Sequence, residues 1–267
     1  DRGAYSCMVG NAAGFATGDS VVVTVVHPLA YGTAVAANLP AVGAGVLSEG
    51  EGVDLYSLTG NAGEWVYFDE HSGNACVLQW ELIAPSGASV FHHWLGGGCG
   101  NDGHTGLIKF PETGSYRLRV FTTDASDTGY GFRVTQVPEP VTFALSVGDH
   151  VTEGAINSAP VAGAGNLEVP ADADLYTFPA VAGQRVFFDE QAGDSCFTQW
   201  SLTAPDGTQL FHHWLGFGCW NDGDPGSITL PIDGTYTLRV WTIDTRFGPY
   251  AFRLWPVATD TFSITLG

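Results

Sequence analysis

Apolar positions along this chain fall in short runs, not in long periodic stretches. The runs at 65–68, 117–121 and 130–134 are rich in aromatic and β-branched residues, and clusters of Gly, Pro and Asp separate such runs. This pattern is typical of β-strands. No stretch combines a 3.6-residue apolar period with helix-capping residues. The sequence therefore predicts an all-β protein in which short antiparallel strands pack as a sandwich.

The same pattern recurs after 120 residues. The motif FHHWLG occupies 91–96 and again 211–216, and 211 − 91 = 120. Between 39 and 135 this shift aligns the two copies without a gap, and nearly half of the paired positions are identical. Self-similarity over this length indicates duplication of a whole domain. We therefore expect tandem sandwich repeats at 28–137 and 138–256.

Proline-containing segments mark the ends of the repeats. The segment VPEP at 137–140 closes the first copy, and Pro256 takes the same place in the second. Prolines make such joints stiff and extended. Residues 257–267 are similar to the opening strand of the second copy and are expected to be the first strand of a third repeat. We therefore expect the chain to be one segment of a longer multidomain protein.

Each copy contains one β-hairpin that the sequence places directly. In the first copy an alternating strand leads into the turn APSG at 84–87, and the chain returns through FHHWLG. Pro and Gly occupy positions that a β-turn accepts. Symmetric pairing about the turn puts Trp80 opposite His92, and Leu78 opposite Trp94. The motif is therefore predicted to be the returning strand, with the tryptophan of each copy packed.

Four of the five cysteines form two equally spaced pairs. The pairs are Cys76 with Cys99 and Cys196 with Cys219, and 99 − 76 = 219 − 196 = 23. Equal spacing in a Gly-rich β-protein predicts one disulfide per repeat, and so an extracellular or cell-surface location. Closing a loop of this size stabilises a fold by about 3 kcal/mol. Cys7 is left without a predicted partner.

The chain is strongly acidic, because 9 basic residues face 28 acidic ones and the formal net charge is −19. This excess makes nucleic acid and anionic membranes unsuitable partners. No run of about 18 apolar residues is present, so membrane insertion is not expected. The partners that fit are neighbouring domains of the same long chain, copies of itself, polysaccharide or another surface protein.

Carboxylates that recur in both copies are candidate calcium ligands. An Asp-Glu pair follows an apolar run, and an Asn-Asp-Gly segment follows FHHWLG; loop oxygens of this kind suit a hard cation. The candidates are Asp69, Glu70, Asp102, Asp189, Glu190 and Asp222. Asp54 and Asp174 are further candidates, although an Asp on a first strand also bonds to turns, and Asn-Asp-Gly forms ordinary turns. Calcium is the one cofactor that the sequence suggests.

Adjacent histidines in both copies are candidate binding residues: His92, His93, His212 and His213. Neighbouring residues of a strand point to opposite faces of the sheet, so the two histidines of one copy do not readily share a metal ion. Thiolate ligation would also need a free cysteine, which the predicted disulfide removes. We therefore expect packed histidines, or one histidine per copy that faces solvent or a neighbouring domain. The alternative is a metal site made of one histidine, Asp102 and a distant third ligand.

Catalytic motifs are missing from the sequence. It contains neither G-x-S-x-G nor H-E-x-x-H, and no nucleophile common to both copies stands out. Duplicated whole domains also suit spacing or multivalent binding better than a single active site, so the chain is expected not to be an enzyme. Trp220 and Trp241 could stack on sugar rings. Their counterparts are Gly100 and Phe121, so no sugar platform shared by the copies is expected.

The N-terminal segment resembles part of an immunoglobulin-like domain of the I-set type. The residues DRGAYSC at 1–7 are followed by Asn11, Gly14 and an alternating segment at 21–26. In that family a Tyr two residues before the second cysteine forms the tyrosine corner, and Tyr5 and Cys7 match this pattern. The resemblance implies that 1–27 are the last two strands of such a domain.

The repeats resemble the bacterial pre-peptidase C-terminal (PPC) domain. The matching motifs of the first copy are DLY at 54–56, AG at 62–63, APSG at 84–87, GSYRLRV at 114–120 and YGF at 130–132. The resemblance implies a jelly-roll-like β-sandwich, sometimes calcium-bound, that is attached to secreted peptidases or strung along surface proteins. The cysteine pair and FHHWLG are not general features of that family.

These observations together predict a function without catalysis. We expect an extracellular structural or adhesive repeat region of a large bacterial secreted or surface protein, such as a stalk, adhesin or fibre. The alternative is a calcium- or glycan-binding accessory module of a secreted hydrolase. The sequences on either side of the chain would separate these two hypotheses.

Overall fold

The computed structural model describes residues 3–5, 8–11, 14–17, 21–23, 25–47, 52–98, 105–124, 127–220, 223–243 and 245–258 of the chain. Within these ranges the named elements are all β-strands, which confirms the all-β prediction. The described residues contain no helix long and apolar enough to cross a bilayer. The chain divides into two compact units, Asp1–Gln136 and Val137–Gly267.

The strands of the first unit are short and joined by turns. They are β1 (Gly3–Tyr5), β2 (Met8–Asn11), β3 (Gly14–Thr17), β4 (Val21–Val23), β5 (Val26–Pro28), β6 (Ala34–Val35), β7 (Val46–Leu47), β8 (Val53–Gly60), β9 (Trp65–Ser72), β10 (Leu78–Ile83), β11 (Ser89–Trp94), β12 (Gly106–Lys109), β13 (Gly114–Thr122), β14 (Thr128–Gly129) and β15 (Gly131–Val137). Two larger sheets, ordered β11-β10-β13-β8-β5 and β12-β9-β15-β6, make the sandwich. Two-stranded sheets join β1 to β4, β2 to β3 and β7 to β14.

The second unit repeats this architecture. Its strands are β16 (Val141–Ala144), β17 (His150–Thr152), β18 (Ala155–Ile156), β19 (Ala159–Pro160), β20 (Ala173–Ala180), β21 (Arg185–Ala192), β22 (Thr198–Thr203), β23 (Gln209–Trp214), β24 (Gly226–Thr229), β25 (Gly234–Thr242) and β26 (Ala251–Pro256). They form the sheets β16-β20-β25-β22-β23 and β19-β18-β17-β26-β21-β24. The short strands β18 and β19 extend the second of these sheets.

A tryptophan lies at the centre of each core. In the first unit Trp80 of β10 packs edge-on against Phe68 of β9, with ring centroids 6.0 Å apart. In the second unit Trp200 and Phe188 make the same contact at 6.4 Å. All four side chains are fully buried, and each pair joins the two sheets of its unit. Burial of this aromatic surface favours folding, and the contacts confirm the predicted sandwich in both units.

The opening strand of each repeat departs from antiparallel pairing. β5 pairs in parallel with β8, with Val26 opposite Leu55. β16 pairs in parallel with β20, with Thr142 opposite Leu175. The offset between these strands is 142 − 26 = 116, not 120, because the second unit is longer between its opening strand and the aligned region. β5 also spans the predicted domain boundary between residues 27 and 28.

The N-terminal segment forms two antiparallel pairs. In one, Tyr5 of β1 lies opposite Val21 of β4; in the other, Met8 of β2 lies opposite Thr17 of β3. Cys7 and the residues 259–267 of the predicted third repeat lie outside the described residues. The predicted immunoglobulin-like origin of residues 1–27 stays a prediction.

Candidate functional site

The hairpin that carries FHHWLG is present, but its register differs from the prediction by one residue. Trp80 pairs with His93 and not with His92. The cause is a β-bulge between Leu82 and Ile83, where the returning strand contains one extra residue. The sequence shows the turn but not this bulge, so symmetric pairing gave the wrong partners.

The corrected register moves the motif tryptophan to the outer face of the sheet. Gln79, and not Leu78, lies opposite Trp94, and Gln199 lies opposite Trp214 in the second unit. A shift of one residue exchanges the two faces of a strand. Both tryptophans are therefore half-buried on the outer surface, and the predicted pairing of Leu78 with Trp94 is wrong.

The two histidines of the first copy lie on opposite faces. The His93 ring is 5.7 Å from the ring of Phe91, on the core side. The exposed His92 faces outward, where its Nε2 lies 2.7 Å from Oε1 of Gln79. Because an amide oxygen only accepts hydrogen bonds, the imidazole donates here. The His92 ring is also 5.8 Å from the ring of Phe121 on β13.

The second copy reproduces these contacts. The His213 ring is 5.9 Å from the ring of Phe211. On the outer face, Nε2 of His212 lies 3.0 Å from Oε1 of Gln199, and the His212 ring is 5.2 Å from the ring of Trp241. The alternation expected for adjacent strand residues is thus observed in both units.

An arginine completes the arrangement in each unit. The guanidinium carbon of Arg119 lies 5.0 Å from the centroid of the Phe121 ring. That of Arg239 lies 4.8 Å from the centroid of the Trp241 ring. Such contacts are favourable cation–π interactions. We call the set of outward residues the outer-face cluster: Gln79, His92, Trp94, Arg119 and Phe121 in the first unit, and Gln199, His212, Trp214, Arg239 and Trp241 in the second.

The glycine that ends the motif has a structural role together with a predicted calcium ligand. Oε2 of Glu70 accepts a hydrogen bond of 2.7 Å from the backbone N–H of Gly96. Oε2 of Glu190 accepts the corresponding bond of 3.0 Å from Gly216. In both units this carboxylate thus fixes the end of the motif strand.

The aspartates next to these glutamates also have protein partners. Oδ2 of Asp69 lies 2.7 Å from Nε2 of His71. Oδ2 of Asp189 accepts hydrogen bonds from the side chains of Gln191 and Trp255, at 3.0 and 2.8 Å. These contacts show the two aspartates bonded within the protein.

The calcium prediction is not decided by these contacts. Asp102 and Asp222 lie outside the described residues. In the part of the chain that is described, no three His, Cys, Asp or Glu side chains gather closely enough to hold a metal ion. Calcium binding through the six carboxylates therefore stays a prediction.

Each unit contains a series of hydrogen bonds between buried polar side chains that was not predicted. In the first unit the hydroxyl of Tyr130 donates a hydrogen bond to the carboxylate of Asp54. The same hydroxyl lies 2.7 Å from the hydroxyl of Tyr56. The hydroxyl of Tyr56 in turn accepts a hydrogen bond of 3.0 Å from the backbone N–H of Gly45. The D-x-Y motif was visible in the sequence. Its partner Tyr130 lies 76 residues from Asp54, and no local pattern links the two.

The second unit contains the same series of buried hydrogen bonds, made by Asp174, Tyr250, Tyr176 and Gly165. Burial raises the pKa of Asp174 to about 7, although the hydrogen bond from Tyr250 opposes the rise. A carboxyl group removed from water favours its neutral form. Asp54 and Asp174, considered above as calcium ligands, are thus buried hydrogen-bond acceptors.

The disulfide of the second repeat is formed. Cys196 and Cys219 are bonded across 23 residues, so the bond joins the start of the β22–β23 hairpin to the loop that follows it. Cys76 is also in a disulfide. Its predicted partner Cys99 lies outside the described residues.

Comparison with known proteins gives resemblances in structure alone. No family model matches the sequence, and no curated protein matches it. The CUB1-EGF-CUB2 domains of human MASP-1/3 are 10% identical at a TM-score of 0.26, over 78% of this chain and 94% of that one. The CUB1-EGF-CUB2 domains of rat MASP-1 are 11% identical at a TM-score of 0.28, over 86% of this chain and 100% of that one. A putative secreted protein from Eubacterium rectale is 11% identical at a TM-score of 0.23, over 78% of this chain and 70% of that one.

The outer-face cluster is the arrangement that the sequence did not reveal. Position 121 is Phe and position 241 is Trp, so residue identity between the copies does not pair them. The structure shows that both rings occupy one position, beside the same histidine and arginine. Comparing residue classes between the copies would have found this signal.

Proposed function

We propose that the chain is a non-enzymatic part of a large extracellular protein, in which tandem PPC-like β-sandwiches act as a structural or adhesive stalk or fibre of a bacterial surface or secreted protein. The observation that carries the proposal is the repetition of a complete unit: core, hairpin and outer-face cluster recur at matching positions. Repeated folded units suit spacing and multivalent contact.

The disulfide supports an extracellular location. Cys196 and Cys219 are bonded, and such bonds persist mainly in oxidising environments outside the cytosol. A covalent link also keeps the hairpin closed when the chain is under tension. Both properties fit a protein exposed at a cell surface.

The placement of the shared carboxylates supports a role without catalysis. Asp54 and Asp174 are 1% and 2% exposed, so neither reaches a substrate. Glu70 and Glu190 accept backbone hydrogen bonds that end the motif strand. A general acid or base has to lie within hydrogen-bond reach of the reacting group. These acidic residues instead stabilise the fold.

Single-molecule force spectroscopy tests the mechanical role. When the whole chain is stretched from its ends, we expect two separate unfolding events, one per unit. Reducing the Cys196–Cys219 bond frees a loop of 23 residues and lengthens the corresponding event by roughly 80 Å. Gradual extension without discrete events would contradict the proposal. Turnover of a peptide or polysaccharide that disappears on substitution of a cluster residue would contradict the absence of catalysis.

Calcium has a separate test. If Asp69, Glu70, Asp102 or their counterparts hold a structural ion, removing calcium with a chelator should lower the Tm of the chain, and adding calcium back should restore it. Substitution of Asp102 and Asp222 by Asn should then remove the response. An unchanged Tm would reject a structural calcium ion and leave the stalk proposal intact.

A further inference from the structure

The outer-face cluster forms two rows that run across three strands. In the first unit Gln79 lies between Trp94 on β11 and Phe121 on β13. In the second unit Gln199 lies between Trp214 on β23 and Trp241 on β25. Neighbouring strands are about 4.8 Å apart, so the two aromatic residues of a row stand about 10 Å apart, with an amide between them.

The second row consists of polar side chains that contact the residues of the first row. His92 and Arg119 flank Glu81 in the first unit, and His212 and Arg239 flank Ser201 in the second. Each histidine bonds the glutamine oxygen, and each arginine lies against the aromatic ring. The amide NH₂ of the glutamine makes no hydrogen bond to the described residues and remains available to a ligand.

Packing of the core does not explain why this cluster is the same in both units. Several outward positions around it differ between the copies, namely Ile83 and Thr203, Ser57 and Thr177, and Arg117 and Thr237, whereas Leu55 and Leu175 beside the arginines are the same. The cluster keeps its glutamine, histidine, tryptophan and arginine, and an aromatic ring at 121 and 241. An outward set of aromatic and hydrogen-bonding side chains that recurs at matching positions marks a candidate binding surface.

The charge of this surface differs between the two units. Arg119 pairs with Glu81 at 3.2 Å, whereas Ser201 replaces that carboxylate beside Arg239. Rings and hydrogen-bonding groups are therefore the shared features, and net charge is not. The chain as a whole has a net charge of −19, which disfavours a polyanion. A neutral ligand fits both facts.

The chemistry of the cluster matches a sugar chain. Aromatic faces stack on the apolar C–H faces of sugar rings, and amide, imidazole and guanidinium groups bond to hydroxyls. A small molecule usually binds in a concave pocket, whereas the cluster lies on the outer face of a sheet. Such a surface suits an extended polymer.

We propose that the outer-face cluster of each repeat binds a segment of neutral polysaccharide, with the two aromatic residues as a stacking platform and the glutamine, histidine and arginine as hydroxyl-binding groups. Two clusters on one chain would increase retention on a polymer through avidity. This role goes beyond that of a structural stalk, because it names what the surface of each repeat binds.

Affinity electrophoresis of the whole chain tests the proposal. The probes are hydroxyethylcellulose, mixed-linkage β-glucan, xylan, galactomannan and soluble starch, with alginate as a polyanion. We expect retardation by at least one neutral polymer and none by alginate. Combined substitution W94A, F121A, W214A and W241A should weaken the affinity at least roughly tenfold. The matched control removes the exposed aromatics Phe217 and Phe247, which lie outside the cluster, and should bind as the unsubstituted chain does.

Several results would overturn the proposal. These are no retardation by any neutral polymer, retardation by alginate alone, or equal binding by the cluster variant. If the quadruple variant does not fold, the pair H92A and H212A replaces it, because both side chains are exposed, and unchanged binding by that pair counts against the proposal. Concentration-dependent self-association in sedimentation that W241A abolishes would assign the face to a second copy of the chain instead. Force spectroscopy is independent of glycan binding, so failure of one proposal is distinguishable from failure of the other.

Discussion

Gly96 and Gly216 close the FHHWLG motif because the backbone at this point contacts a second glycine. A Cβ added to Gly96 would lie 2.3 Å from the carbonyl carbon of Gly73, and one added to Gly216 would lie 2.3 Å from that of Gly193. Both motif glycines also have positive φ values, +94° and +98°, which favour glycine. Residues outside the hairpin thus decide which residue ends the motif.

The first prediction concerns this close approach. Gly96→Ala should destabilise the first unit by about 2 kcal/mol or more, because the new methyl group overlaps backbone and the φ value is strained. Thermal unfolding followed by circular dichroism measures the effect. Gly97→Ala is the matched control, since a Cβ there meets nothing within 4 Å. Equal Tm values for the two variants would contradict the explanation.

The second prediction concerns the buried Asp174. Its pKa is about 7 in the folded protein against an ordinary value of 3.8, so the folded state binds the proton more tightly. The stability that this group contributes is complete below about pH 4 and is lost as the pH rises through 7. Asp174→Asn should therefore remove part of the fall in Tm between pH 4 and 7.

A control for the pH measurement is Asp206→Asn, at the exposed turn of the same unit. Hydrogen bonds from Thr208 lower the pKa of Asp206 below 3.8, so this carboxyl group does not titrate between pH 4 and 7. Its substitution should leave the pH dependence in that window unchanged. An Asp174→Asn variant that behaves like this control would show that Asp174 does not titrate there.

At the scale of elements, the hairpin and its disulfide act together. The β22–β23 hairpin has the same bulge as β10–β11, and this bulge puts the motif tryptophan and the first histidine outward. The bond from Cys196 to Cys219 closes the open end of the hairpin. The strand register and the disulfide therefore together hold the outward tryptophan and histidine of the hairpin in place.

The third prediction concerns this disulfide. Replacing Cys196 and Cys219 together by Ser should lower the free energy of unfolding by about 3 kcal/mol, because the unfolded chain regains the entropy of an open loop. Urea denaturation measures the difference. The outer-face cluster should keep its geometry, since β22 also pairs with β25. No change in stability would mean that the bond does not constrain the unfolded chain.

At the scale of the whole molecule, each unit has a hydrophobic core of its own. One core cluster contains residues between Leu29 and Val134, and the other contains residues between Phe143 and Leu254. A domain with a complete core can fold alone. The duplication therefore produced two structural units and not two halves of one.

The fourth prediction follows from the separate cores. A fragment of residues 137–267 should fold alone and unfold in one cooperative transition, because its core, sheets and disulfide all lie within it. Circular dichroism and calorimetry measure this. A fragment without a cooperative transition would show that the second unit depends on the first.

Local periodicity and repetition in the sequence were sufficient to predict much of the fold. Short alternating runs determined the all-β class, the 120-residue shift determined the duplication, and equal spacing determined the pairing of Cys196 with Cys219. The period of two along a strand also determined that adjacent histidines face opposite ways. These properties depend on residues that are close in sequence or that repeat in it.

Tertiary structure alone decided which faces and which partners these residues have. One extra residue at the bulge reverses the faces of Trp94 and its neighbours, and such a bulge has no clear sequence signal. The buried contact of Tyr130 with Asp54 and the meeting of His92 with Phe121 join strands that are distant in sequence. The outer-face cluster exists because three strands are paired in one register, and that register is a property of the folded sheet.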